Sequence, residues 1–190
     1  MDVLDRPSVP DPSTVSYKQL AIRYGAIWGG VGVLTSLVAY LTNTDPSLPT
    51  TGAIKWVYSL VGFAVAIWAV VTVIRIDRDQ QLGGFISLGR CVGIGSLTGL
   101  VAGVISAVWL FLYLGVINTG FMDQMKEAIA AQYEAQGMSE EQIEMATNMA
   151  GAFMSPTFMA ISQLAGGVIA GLIIGLIAGL FMKRDPMGGR

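Results

Sequence analysis

The side chains in this sequence with any capacity for chemistry form three sets: polar groups inside apolar stretches, a concentration of methionines, and a cluster of carboxylates. Gln163, Ser162, Thr98, Ser96, Ser106 and Thr72 make up the first set. In hydrocarbon, such groups either hydrogen-bond between helices or to their own backbone, worth roughly 0.6 kcal/mol on average, or they line a conduction route. Nothing in their spacing makes them converge, so the first role is expected. No ionisable side chain falls in the core of an apolar span, and an ion or proton pathway would ordinarily place one there.

Seven of the ten methionines, Met122, Met125, Met138, Met145, Met149, Met154 and Met159, gather in and beside one polar region. Thioether sulfur suits Cu(I), and Met145 and Met149 stand four apart on one helix face. No Cys or His joins them, so the expectation is methionine as flexible filler on apolar faces. Glu140, Glu141 and Glu144 lack the alternating oxygen ligands of a dedicated Ca²⁺ loop and read as a solvated first turn of a helix. Histidine is absent altogether, which removes the commonest general base and zinc ligand. Cys91 is the single cysteine, so there is no intrachain disulfide or cysteine metal cluster, and it reads as a small residue at a helix start. Gly29, Gly30 and Gly32 lie inside a membrane span, where a phosphate cradle has no place. No catalytic, cofactor-binding or metal residue is therefore expected, and the chain reads as a non-enzyme.

The elements that carry these residues are membrane helices. Of 190 residues, 53% are hydrophobic and 13% charged, and the mean hydropathy is +0.62, values outside the usual soluble range. Residues 1–15 hold Pro7, Pro10 and Pro12 with three aspartates and read as a flexible cytoplasmic tail, not a secretory signal peptide. Residues 16–190 read as a single four-helix membrane domain with spans near 21–41, 52–75, 88–117 and 157–182. A span of roughly 20 residues covers about 30 Å, so the third, at about 30 residues, must tilt or protrude. Lys18 and Arg23 are placed to snorkel, and Trp56 and Tyr58 suit an interface belt. Gly83 and Gly84 break the chain after the second span, with Ser87 as N-cap of the third.

Two glycine ladders organise the bundle. Gly167, Gly171, Gly175 and Gly179 recur every fourth residue in the last span, and Gly95, Gly99 and Gly103, followed by Ala107, repeat that spacing in the third. Glycine costs roughly 1 kcal/mol in a helix interior in water, but in lipid small residues at this spacing let a second helix approach closely. These glycines are the expected helix-packing residues.

Between the third and fourth spans, residues 118–156 form the one sizeable polar region, read as an extracytoplasmic amphipathic helical hairpin. Met122, Met125, Ile129 and Tyr133 give the first helix its stripe, and Gly137 terminates it. Ser139 with Gln142 matches a capping box, followed by Ile143, Ala146, Met149, Ala150 and Phe153 as a second stripe. Ile143, Met149 and Phe153 are the expected partner-contact residues. Ser155 and Pro156 open the last helix as N-cap and first residue.

Nine of the eleven Lys and Arg residues, Arg6, Lys18, Arg23, Arg75, Arg78, Arg90, Lys183, Arg184 and Arg190, fall on one side, with Lys55 and Lys126 opposite. The positive-inside rule then predicts cytoplasmic termini and an outer, acidic hairpin.

Several strings are similar to a known family: Tyr24-Gly25 at the head of the first span, GGFISLG at 83–89, GMSEEQIE at 137–144, and the glycine-rich last helix closed by Lys183-Arg184. Together they resemble small bacterial four-helix membrane proteins catalogued as a domain of unknown function numbered four-one-nine-nine, from the first span to the C-terminus. The resemblance implies a multi-pass protein of the bacterial inner membrane and brings no activity or catalytic residue with it. The expected function is that of an accessory or assembly subunit of a membrane complex, or a homo-oligomer packed through glycine faces. The alternative is a small transporter or channel built from several copies. The expected partners are the lipid bilayer and a protein or second copy, with no nucleic acid and no cofactor.

Overall fold

The computed structural model describes Pro12 and residues 14–45, 52–153 and 155–184, without the side chains of residues 150, 152 and 153. Most of the tail expected over residues 1–15 lies outside the described residues. Among the described residues six α-helices follow one another: α1 (Lys18–Leu41), α2 (Ile54–Ile76), α3 (Leu88–Leu112), α4 (Phe121–Ala135), α5 (Glu140–Phe153) and α6 (Pro156–Met182). Helix α2 runs on through a π-helical turn at Asp77–Gln81, and α3 through another at Tyr113–Ile117. Counting those turns, four helices among the described residues are long and apolar enough to cross a membrane: Lys18–Leu41, Ile54–Gln81, Leu88–Ile117 and Pro156–Met182. The chain is an all-α multi-pass membrane protein.

Local sequence sets the helix ends. The Ser87 hydroxyl accepts from Arg90 N–H at 3.3 Å, and the Ser155 hydroxyl from Phe158 N–H at 3.3 Å, with Pro156 in the first turn where its missing N–H costs nothing. At α5, Gln142 N–H donates to the Ser139 hydroxyl at 3.4 Å while the Gln142 side chain accepts from Ser139 N–H at 3.0 Å. Gly137 takes φ +80° just past α4, a conformation that disfavours residues with a Cβ. The second span continues further than the 52–75 expected, because the π turn carries helical backbone past Arg75 to Gln81.

Helix α3 is the centre of the bundle. Its glycine ladder lies against that of α6 in antiparallel register. A Cβ on Gly95 would strike the carbonyl of Gly171, one on Gly99 the carbonyl of Gly167, and one on Gly103 would sit 3.0 Å from Leu164 Cα. In the reverse direction, a Cβ on Gly175 would come within 2.6 Å of the Cys91 carbonyl, and one on Gly179 within 2.9 Å of Cys91 Cβ. Helix α1 meets another side of α3 in the same way: a Cβ at Gly25 would lie 2.6 Å from the Thr98 carbonyl and one at Gly29 2.8 Å from Ile105 Cβ. The glycine faces of α3 and α6 are thus turned to each other within one chain.

Packing is uneven along the bundle axis. The buried cluster Val70, Val73, Ile74, Leu82, Ile86, Cys91, Ile94 and Ala178 lies in the half nearest the basic residues, hereafter the basic end. Ile86 and Arg184 exchange two backbone hydrogen bonds of 3.1 Å there, clipping the α2–α3 connection to the chain after α6. In the other half, toward α4 and α5, the first turns of α2 are outside the core, with Ile54, Trp56, Val57, Leu60, Val61 and Phe63 all exposed. The bundle is closed at the basic end and open at the far end.

Candidate functional site

A cavity of about 540 Å³ occupies the open half, between α1, α2, α3 and α6. Each helix contributes a stripe at helical spacing. These are Trp28, Gly32, Thr35, Ser36 and Ala39 from α1, Tyr58, Ser59, Gly62 and Val65 from α2, Ser106, Trp109 and Tyr113 from α3 and its π turn, and Met159 and Gln163 from α6. Asp45 and Phe121 line it at the far end. From Trp28 to Ala39 the cavity follows α1 for roughly 16 Å, at 1.5 Å per residue.

The polar groups of this cavity divide into anchored and unanchored. Thr35 donates to the Val31 carbonyl at 2.7 Å and Ser59 to the Lys55 carbonyl at 2.9 Å, each satisfied on its own helix. Tyr58 shares a 2.8 Å hydrogen bond with Thr44. Tyr113 donates to Asp45 Oδ2 at 2.8 Å and accepts from Asn118 Nδ2 at 3.1 Å. The π turn that begins at Tyr113, closed by Asn118 N–H donating to the Tyr113 carbonyl at 2.7 Å, brings the Asn118 side chain onto the ring hydroxyl that also meets Asp45. By contrast, the side chains of Ser36, Ser106 and Gln163 have no hydrogen-bond partner among the described residues, and the Trp109 indole N–H is buried without one. The half-buried Ser36 and Ser106 and the exposed Gln163 therefore leave hydrogen-bonding capacity on the cavity wall, whereas the Trp109 N–H is enclosed by packing and does not reach the space.

The sequence reading expected no convergence, and here the structure differs. Ser106 and Gln163 come together in the cavity. Thr98 is fully buried and donates to the Ile94 carbonyl at 2.8 Å, the back-bonded role expected of it. Ser96, Ser162 and Thr72 do not line the cavity. The sequence reading missed Thr35, Ser36, Tyr58, Ser59, Tyr113 and Asp45. The lining residues recur at i, i+3 or i+4 within each span, but which faces meet one another is a property of the assembled bundle.

A second departure concerns charge. Asp77 is fully buried and Arg90 nearly so, and they form a forked ion pair with Nε to Oδ2 at 2.6 Å and Nη2 to Oδ1 at 2.9 Å. Both lie within the helices that cross the membrane, as the π turn brings Asp77 into the second. They sit at the basic end, away from the cavity lining. Arg78 pairs similarly with Asp79 at 2.6 Å, at the surface.

Among the residues expected to contact a partner, Ile143 is half-buried, Met149 is 68% exposed, and the Phe153 side chain lies outside the described residues. Met145 is 62% exposed beside Glu141 and Glu144 along a shallow groove on α5. Helices α4 and α5 lie against each other.

Comparison with curated proteins finds no match, and comparison with solved structures finds none either. The family described as Protein of unknown function (DUF4199) matches residues 23–184, a range that takes in all of the cavity and the Asp77–Arg90 pair. The chain belongs to that family of proteins of unknown function.

Proposed function

We propose that this protein is a non-enzymatic transport-type protein of the bacterial inner membrane that takes a small amphiphilic molecule into the cavity between α1, α2, α3 and α6. The observation that carries this reading is the convergence of Ser36, Ser106 and Gln163, whose side chains have no hydrogen-bond partner among the described residues, on one space of about 540 Å³. That volume falls in the range of roughly 300–1,000 Å³ typical of small-molecule sites. Four helices of one chain line the cavity. The charge distribution supports cytoplasmic termini with α4 and α5 outside. The test is binding of the neutral fluorophore N-phenyl-1-naphthylamine to protein in nanodiscs, followed by its movement across liposomes. Gly32→Leu fills the cavity where an added Cβ meets nothing within 4 Å, and should abolish both signals without unfolding the bundle. Equal binding by the parent and Gly32→Leu would overturn this reading.

A second reading, an accessory or assembly subunit or homo-oligomer, is favoured by the exposed Met145 and Met149 on α5. It rests on α4 and α5, since the glycine faces of α3 and α6 already meet each other. Its test is what remains attached after mild solubilisation: Ile143→Asp with Met149→Asp should shrink the native complex while leaving the four spans inserted, because an unpaired carboxylate is costly to bury.

A further inference from the structure

The lining of the cavity is electrostatically one-sided. Asp45 is its one carboxylate among the described residues, and no Lys or Arg lines it. Around the Asp45–Tyr113 hydrogen bond of 2.8 Å, aromatic rings gather. Tyr113 makes edge contacts with Tyr40 at 5.9 Å and Phe121 at 5.7 Å between centroids, and lies 6.2 Å from Trp109. A carboxylate beside such rings forms a favourable setting for an organic cation, since ring quadrupoles and carboxylate attract the same sign of charge. The surroundings reinforce it. Residues 118–156, at the same end of the bundle, carry six acids against the single base Lys126, a field that concentrates cations and repels anions.

The rest of the lining selects for an apolar body. Val31, Val65, Leu110 and Met159 face the space together with Gly32 and Gly62. A bare metal ion would find one carboxylate and no set of oxygen ligands to replace its water. From these observations we infer that the cavity binds a hydrophobic organic cation, with its positive charge at Asp45 and the rings around Tyr113 and its apolar body between α1, α2 and α6. This inference rests on the reading of the cavity as a ligand site.

The experiment compares two probes of matched size and opposite charge, tetraphenylphosphonium and tetraphenylborate, with neutral N-phenyl-1-naphthylamine as the third, all titrated against the full chain in nanodiscs of zwitterionic lipid. Tetraphenylphosphonium should bind at least tenfold more tightly than tetraphenylborate. Asp45→Asn should remove that preference and Asp45→Glu should keep it, while Gly62→Leu should abolish binding of all three probes, as an added Cβ there meets nothing within 4 Å and the new side chain fills the cavity. Thermal unfolding of each variant confirms that the bundle is intact, and the pair Asp45→Asn and Asp45→Glu separates charge from folding. Saturable binding of all three probes with equal affinity, lost in Gly62→Leu but unchanged in Asp45→Asn, would overturn the cation inference while leaving the ligand site standing. Binding that is absent, or indifferent to Gly62→Leu, would overturn both.

Discussion

Arg90 grips Asp77 through two parallel hydrogen bonds of 2.6 and 2.9 Å, and the same guanidinium donates to the backbone carbonyls of Pro12 at 2.6 Å and Val15 at 2.9 Å. It also lies 5.0 Å from the centre of the Tyr17 ring. One planar side chain thereby ties the chain entering α1 to the junction of α2 and α3, a geometry that a point-charge ammonium would not reproduce. The π turn makes the pairing possible by holding Asp77 within helical backbone, where Leu82 N–H donates to its carbonyl at 3.0 Å.

Breaking this pair should destabilise the basic end severely. Asp77→Asn leaves a nearly buried guanidinium without its counter-charge, at a cost of about 3–5 kcal/mol, and thermal unfolding in detergent should show it as a large fall in Tm. Arg90→Lys should lose less. The double variant Asp77→Leu/Arg90→Leu should recover much of the stability, yet residues 14–17 should exchange their amide hydrogens faster, since the carbonyl anchor of this segment is gone. Equal protection of that segment in the parent and the double variant would show that Arg90 does not hold it.

Two adjacent glycines in α6 provide an internal control for the helix contact. An added Cβ at Gly167 would lie 2.5 Å from the Gly99 carbonyl, while at Gly166 it meets nothing within 4 Å. Gly167→Leu should therefore disrupt assembly or expression, at or above the roughly 1–3 kcal/mol usual for overpacking, and Gly166→Leu should be tolerated. Leu172→Ile should be mild, because its volume hardly changes. Equivalent thermal stability of the two glycine variants would mean that α3 and α6 do not meet along this ladder in the membrane.

The hydroxyls of the cavity should separate stability from binding. Ser36→Ala and Ser106→Ala remove groups with no hydrogen-bond partner among the described residues and should change unfolding by no more than about 0.5 kcal/mol, while weakening probe binding several-fold. Thr98→Val, away from the cavity, loses the bond to Ile94 and should cost about 1 kcal/mol with binding unchanged. Calorimetry on the three variants, read alongside probe titration, checks both halves.

The nine-to-two split of Lys and Arg makes topology directly measurable. A reporter active only in the cytosol should work when fused after Arg190 and fail when inserted at Gly137, with an extracytoplasmic reporter giving the reverse. The opposite pattern would place the acidic end, and the mouth of the cavity at Asp45, in the cytoplasm.

The sequence by itself determined the spans and most of the helix ends, which depend on near neighbours along the chain. Four apolar runs of bilayer length announce four spans, Ser87, Ser139 and Ser155 mark helix starts through their own hydroxyls, and Gly137 ends α4 because it tolerates φ +80°. What tertiary structure decided was which faces meet and where they part. Ser106 and Gln163 are separated by more than fifty residues, and their convergence with Ser36 follows from α3 packing on α6 through one side and on α1 through another. Asp77 lies just past the 52–75 span expected from the sequence, and the π turn draws it into the helix and against Arg90. The cavity exists because large aliphatic side chains fill the basic end while α2 leaves the core at the far end, and no local pattern of residues reports a space that four helices enclose together.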